Sequence, residues 1–159
     1  MSTRSGDLDP GLLWYLFRTE GMDDKQFNEM VNFQSGLLGV SETSSDMRDL
    51  LELEKKDVRA AEAVALFCYQ VKKCIGALAA ALGGLDTLVF AGGIGENASI
   101  VRARICDGLE FLGIELEEKQ NIANASVISA MTSRVMVRVI RTDEEQMIAK
   151  TVYRVLGLG

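Results

Sequence analysis

Histidine is missing from the 159-residue sequence altogether, and that absence removes several chemistries. A Ser-His-Asp triad, an imidazole acid or base and a histidine-ligated zinc cannot be assembled from this chain's own side chains. Cysteine is scarce. Cys68, Cys74 and Cys106 are an odd set, lack zinc-ligand spacing, and the first two stand roughly 240° apart around a helix at about 100° per residue. Buried free thiols in a reducing cytosol are the simplest reading, so a cytoplasmic location is expected. Positive charge is also short: 17 basic against 23 acidic residues leave a net charge of -6, which disfavours non-specific attraction to nucleic acid or anionic membrane. Any phosphate must be met by local positive groups. Residues 1–9 carry no signal-peptide pattern, and the most apolar stretch, 58–82, is interrupted by Glu62, Lys72 and Lys73 in a helical rhythm. That pattern argues against membrane insertion. No repeat, low-complexity tract or proline-rich linker divides the chain, and its one proline is Pro10.

What remains is ample apolar material: 48% of residues are hydrophobic, enough for the core of one domain. Asp9 followed by Pro10 reads as a helix N-cap with proline at the first position, opening a helix through Leu12, Leu13, Leu16 and Phe17 to Gly21. Asp23 or Asp24 caps a second, which ends at the Gly36–Gly39 break. Ser44 and Ser45 cap a short helix through Met47, Leu50, Leu51 and Leu53. From about 57 to 82, apolar residues advance by threes and fours, predicting the longest helix. "DTLVF" at 86–90 predicts a buried parallel strand, followed by a helix over 97–112 with Gly113 at its C′ position. "GIEL" is a candidate short strand, "VMVRVI" at 135–140 a further strand, and a closing helix places Met147, Ile148, Thr151, Val152 and Val155 on one face. Strands alternating with helices make an α/β chain.

Four places carry candidate chemistry. A strand ending in Gly92, Gly93 and Gly95 and passing into a helix near Asn97 puts bare backbone N–H groups beside a positive helix terminus, which suits a phosphate or a nucleoside pressed to the backbone. It lacks the Gly-Lys-Ser/Thr ending of a P-loop. Gly93-x-Gly95-x-x-Ala98 matches the loose dinucleotide fingerprint, with Glu115 and Glu117 where a ribose-binding acid is expected, but Glu96 would bring negative charge into a pyrophosphate turn. A tight strand-to-helix turn explains the glycines equally well. In "RTDEEQM", Thr142 and Glu145 match a capping box, leaving Glu144 either to complement the helix dipole or to meet a metal held by substrate phosphates. Asp46 and Arg48 in "SSDMRDL" either serve a helix start, with Arg48 paired to Glu52, or grip a nucleoside. Arg4, in a Gly/Ser-rich loop, is either a mobile terminal residue or the guanidinium that phosphoryl transfer uses to stabilise spreading charge. Local pattern leaves these alternatives open.

Taken in order, "TRSGDLDP", "SSDMRDL", "GGIGEN", "GLEFLGIEL" and "RTDEEQMIA" resemble the C-terminal portion of an acetate kinase, over essentially the entire chain; kinases for propionate or butyrate share much of the pattern. The resemblance implies the ribonuclease-H-like, actin-like ATPase fold of the acetate and sugar kinase superfamily, a mixed sheet flanked by helices. It implies that residues 1–159 form a single C-terminal nucleotide-binding domain with the N-terminal domain absent. It further implies an ATP:carboxylate phosphotransferase, ATP and acetate giving ADP and acetyl phosphate, with this chain alone inactive. By resemblance Arg4 stabilises the transferring phosphoryl group. Asp46, Met47 and Arg48 contact adenosine, while Gly93, Ile94, Gly95, Glu96 and Asn97 form the nucleotide turn and Glu144 is linked to Mg2+. The implied partners are ATP or ADP, a short-chain carboxylate such as acetate or propionate, and a second subunit in a homodimer. The chain departs from the family in having Asp143 where asparagine is usual, Ala91 for a frequent threonine and Ser2 for a frequent glycine. A stand-alone nucleotide-binding or dimerising domain, and a dinucleotide module, are the rival readings.

Overall fold

The computed structural model describes residues 2–157, and the chain divides into two compact units, Met1–Leu78 and Ala79–Gly159. The first is helical. Asp9 caps α1 (Pro10–Arg18), its carboxylate accepting the Gly11 N–H at 2.6 Å. Asp23 opens α2 (Asp24–Phe33) with a reciprocal capping box to Gln26. The Gly36–Gly39 segment, expected as a break, instead forms α3 (Gly36–Ser41). Helix α4 (Met47–Leu53) is capped by Asp46 and not by the serines, because the Asp46 carboxylate reaches the Arg48 N–H. The long helix α5 (Val58–Leu82) matches its expected bounds within a residue and runs across the boundary between the units.

Leu37, Met47, Leu50, Ala60, Ala63, Val64 and Cys68 are the buried apolar side chains of the first unit. The 60, 63/64, 68 spacing on α5 is one helix face. By length and composition α5 could cross a membrane, but this one-sided stripe and the charges at Arg59, Glu62, Lys72 and Lys73 are the pattern of a helix that packs against protein. An apolar cleft of about 630 Å³ lies between α3 and α5, reaching from Ser5 to Cys74.

The second unit is built on a parallel pair, β1 (Thr87–Phe90) against β2 (Met136–Val139), in the register Thr87↔Met136 to Phe90↔Val139. On its other side β2 meets residue 127 in an antiparallel bridge, and residue 129 meets 116 in another; the sheet is therefore mixed, and Leu116 of "GIEL" contributes a bridge. Val137 and Val139 are buried while Met136 and Arg138 are exposed, the period-two signature of a strand with one covered face. The expectation of a buried β1 holds only for Phe90: Val89 is 46% exposed, since this chain leaves one face of β1 uncovered. The glycine turn itself forms α6 (Gly92–Asn97), and the expected 97–112 helix is replaced by α7 (Ser99–Cys106) and a 3-10 turn (Glu110–Leu112). Ala98, with φ -100° and ψ 79°, interrupts the first junction, and Gly108, at φ 75°, interrupts the second. A short α8 (Glu118–Ile122) and the closing α9 (Glu144–Val155) complete the unit.

Leu50 is fully buried and Val58 is 70% exposed. Leu50→Ala should cost about 2–5 kcal/mol in urea unfolding, whereas Val58→Ala should stay within about 0.5 kcal/mol of the parent.

Candidate nucleotide site

In the first unit Arg4 is not on a fraying end. The Thr3 carbonyl accepts the Ser35 N–H at 2.8 Å, and the Ser5 N–H donates to the Val31 carbonyl at 2.9 Å. The Thr3 hydroxyl adds a bond to the Asn32 carbonyl. The backbone is thus fixed on both sides of Arg4, whose side chain is exposed and makes no hydrogen bond or ion pair among the described residues. It is a cation held in place with its donors uncommitted.

Asp46 and Arg48 are committed to each other. The Asp46 carboxylate accepts Nη2 of Arg48 at 2.5 Å and Nε at 3.1 Å, besides the Arg48 N–H at 2.9 Å. Arg48 therefore pairs backward and not with Glu52. The Arg48 side chain, then its N–H, hold the Asp46 carboxyl down to about 2. The pair is solvent-facing, with Arg48 86% exposed, so exchange of one partner for a ligand costs little desolvation. Met47, between them, is buried and its side chain serves the core.

In the second unit the glycine-rich stretch leaves the end of β1 as a helix and not as an open loop. Ala91 is its N-cap and offers no side-chain acceptor. Gly92 takes φ 70°, a left-handed conformation that favours glycine. Gly95 sits close against β1: a Cβ there would lie 3.3 Å from the Phe90 carbonyl carbon, a tight contact that the strand backbone would have to relieve by a few tenths of an ångström. Gly93 faces open space, and nothing lies within 4 Å of where its Cβ would be. Asn97 folds back so that its Nδ2 donates to the Gly93 carbonyl at 3.0 Å, while Ile94 is half-buried.

Glu96 has a role that spacing could not show. Its Oε1 accepts the Gly92 N–H at 3.0 Å, the Thr142 N–H at 2.9 Å and the Thr142 hydroxyl at 3.0 Å, joining the turn to a segment 46 residues away. The Thr142 N–H is the main cause of a lowered Glu96 pKa, opposed by desolvation and aided by the Thr142 hydroxyl, Gly92 and nearby Arg141. This carboxylate stands at the amide where a dinucleotide fingerprint would hold pyrophosphate, which argues against that reading.

The Thr142 N–H, which the expected capping box would offer to Glu145, is thereby already taken. Asp143 caps α9 instead, accepting the Gln146 N–H at 2.8 Å. The Asp143 charge that departs from the family pattern is spent on a helix start, where a carboxylate is favoured. Glu144 beside it is exposed and makes no hydrogen bond or ion pair among the described residues.

A polar cavity of about 410 Å³ opens next to the turn, lined by Glu96, Asn97, Asn124, Ser126, Arg138 and Arg141 among others. The two arginines supply the local positive charge that a net-negative chain needs beside an anion. Their signal in the sequence was the alternation in "VRVIR", which puts Arg138 on the solvent face of β2. Parallel pairing sends α6 and the 140–144 segment out from the same end of the two strands, and the Ile140 N–H still bonds the Phe90 carbonyl at 2.9 Å. Ligands of open α/β sheets bind outside such carboxyl ends.

Comparison with known proteins bears on the family and the fold. A family model described as the Acetokinase family matches residues 1–150. A propionate kinase of Citrobacter rodentium is 47% identical over 98% of this chain, and an acetate kinase of Porphyromonas gingivalis 45% identical over 98%. The crystal structure of Porphyromonas gingivalis acetate kinase superposes with a TM-score of 0.89 at 44% identity over 98% of this chain. That of acetate kinase from Entamoeba histolytica gives 0.87 at 37% identity over 97%. The chain spans 39% and 40% of the two curated relatives, and 40% and 42% of the two solved chains. The ordered motifs, the α/β fold and these likenesses agree, and the chain belongs to the acetokinase family.

Proposed function

We propose that this chain is the nucleotide- and magnesium-binding part of an acetate kinase-like enzyme that moves a phosphoryl group between ATP and a short-chain carboxylate, acetate or propionate. The observation that carries the reading is the common exit of α6 and the Arg141–Glu144 segment from the parallel pair, stapled by Glu96. It puts the glycine turn, two arginines and a free carboxylate at one edge of one sheet.

Each residue then has a role its chemistry suits. Gly93 offers bare backbone against which a nucleotide can lie, and Gly95, Ile94 and Asn97 shape that surface. Glu96 positions the turn without touching the reacting atoms. Asp46 and Arg48 exchange their mutual pair for contacts to adenosine, Asp46 accepting hydroxyl protons and Arg48 stacking or donating. Arg4 presents five donors to charge spreading over the transferring phosphoryl oxygens. The donor set also fits magnesium. No group of three or more Cys, Asp or Glu side chains able to hold a metal occurs among the described residues, but Mg2+ needs only one or two carboxylates plus phosphate oxygens, and Glu144 is an uncommitted one. When bound, the ion would neutralise phosphate charge beside α9.

In this reading the chain alone binds nucleotide but does not turn over, the carboxylate side belonging to the remaining length of its relatives. A homodimer is proposed as well. Helix α1 buries no residue of its own, and Trp14, Tyr15 and Phe17 are exposed on it, an apolar surface that a second subunit would cover. The cytoplasm is the proposed compartment.

Calorimetry with ADP and Mg2+ tests the reading. Wild type should bind and yet form no acyl hydroxamate from ATP, acetate and hydroxylamine; no heat at millimolar ADP would overturn it. Gly93→Ala adds a methyl into open space within a helix, so stability should hold or rise by up to about 1 kcal/mol, while ADP affinity falls at least about 10-fold if ligand lies there. Glu144→Gln should leave metal-free ADP binding unchanged and abolish the gain on adding Mg2+. For Asp46 the folded pKa lies below its ordinary 3.8, so its stabilisation is complete above that value and is lost as pH falls through about 2. The Asp46 carboxyl carbon resonance should titrate there in wild type and move up toward 3.8 in Arg48→Gln.

A further inference from the structure

Arg102 is fully buried, at 0% exposure, and every acceptor it meets is a neutral oxygen. Nη1 donates to the Gly95 carbonyl at 2.8 Å and the Glu96 carbonyl at 3.0 Å. Nε donates to Oδ1 of Asn121 at 2.7 Å, and Nη2 to the Asn121 carbonyl and Oδ1 of Asn124, both at 2.6 Å. Asn121 passes the contact on, donating from Nδ2 to the Ser99 carbonyl. Desolvation pulls the guanidinium's pKa down, opposed by the nearby Cys106.

The carbonyls that Nη1 takes are among the last of α6, where the helix leaves its acceptors unsatisfied and partly negative. A guanidinium from the first turn of α7 fills that end. Ala98, a residue with high helix propensity, can therefore remain in its non-helical conformation and keep α6 and α7 separate. Without the cation, the orphaned carbonyls would find partners by continuing one helix into the other, turning Asn97 away from the cavity it lines beside Glu96. We propose that Arg102 is the positioning residue of the nucleotide turn: it fixes the break at Ala98 and so sets the face that α6 presents to ligand. The inference rests on the nucleotide reading above for its consequence on binding, but not for its consequence on the turn.

Two variants and two readouts test it. Arg102→Lys retains charge but cannot reach all the acceptors. Asn124→Gly removes a single acceptor at a residue already at φ 51°, a conformation glycine adopts freely. Amide hydrogen exchange over 95–98 should quicken in both variants relative to β1 and β2. ADP affinity should drop about 10-fold in Arg102→Lys and by less in Asn124→Gly, with unchanged melting temperature in Asn124→Gly. Local exchange and ADP affinity both at wild-type levels in folded Arg102→Lys and Asn124→Gly would overturn the proposal. If Arg102→Lys does not fold, Asn124→Gly decides alone. If wild type binds no ADP, the nucleotide reading fails, and the exchange data still support or overturn the role of Arg102 in the turn.

Discussion

Main-chain pairing between Phe90 and Val139 decides where the chemistry of residues 79–157 can sit. Because the strands are parallel, their carboxyl ends lie side by side, and whatever follows each strand must start from the same edge. Residues 91–97 follow one and 140–144 the other. Glu96 then closes a short circuit across that edge by accepting from both Gly92 and Thr142. A one-residue slip in register would carry Thr142 out of reach and turn Val137 and Val139 to solvent. Hydrophobic patterning of β2 thus does more than bury two valines, since it places a carboxylate, two arginines and a glycine turn in one neighbourhood.

Electrostatically the same edge is balanced with little excess. Glu96 is satisfied by amides and a hydroxyl, Asp143 by a helix start, and Arg102 by carbonyls, so each charge with a structural task is met by dipoles. Glu144, to which a ligand role is proposed, is exposed there and has no competing partner among the described residues, and in the first unit the same is true of Arg4. Asp46 and Arg48, in the first unit, are an intermediate case. They are ligand candidates that satisfy each other on the surface, where screening makes the pair easy to open.

Much of the secondary structure was legible because it rests on local rules. Pro10 after Asp9 starts a helix by its fixed φ, and the threes-and-fours rhythm of 58–82 needs no partner to be recognised. The misreadings share a cause. Thr142 and Glu145 fit a capping box, yet Thr142 is taken by a glutamate 46 residues earlier; the 97–112 rhythm looks continuous, yet it is interrupted at Ala98 and Gly108. Long-range hydrogen bonds of this kind leave no periodicity. Arg102 itself was invisible, since a lone arginine in an amphipathic stretch reads as a solvated face. Candidate site residues came from the order and spacing of several motifs together, which reflect the fold as a whole where any one motif leaves its alternatives open.

Gly93 and Gly95 stand two residues apart in one turn, and their surroundings predict opposite histories under mutation. At 95 the neighbour is the chain's own strand backbone, so even a methyl group strains the link between β1 and α6 and damage would be felt with no ligand present. At 93 the neighbour is empty space. A descendant of this sequence that no longer needed its ligand would be freer to replace the first glycine than the second.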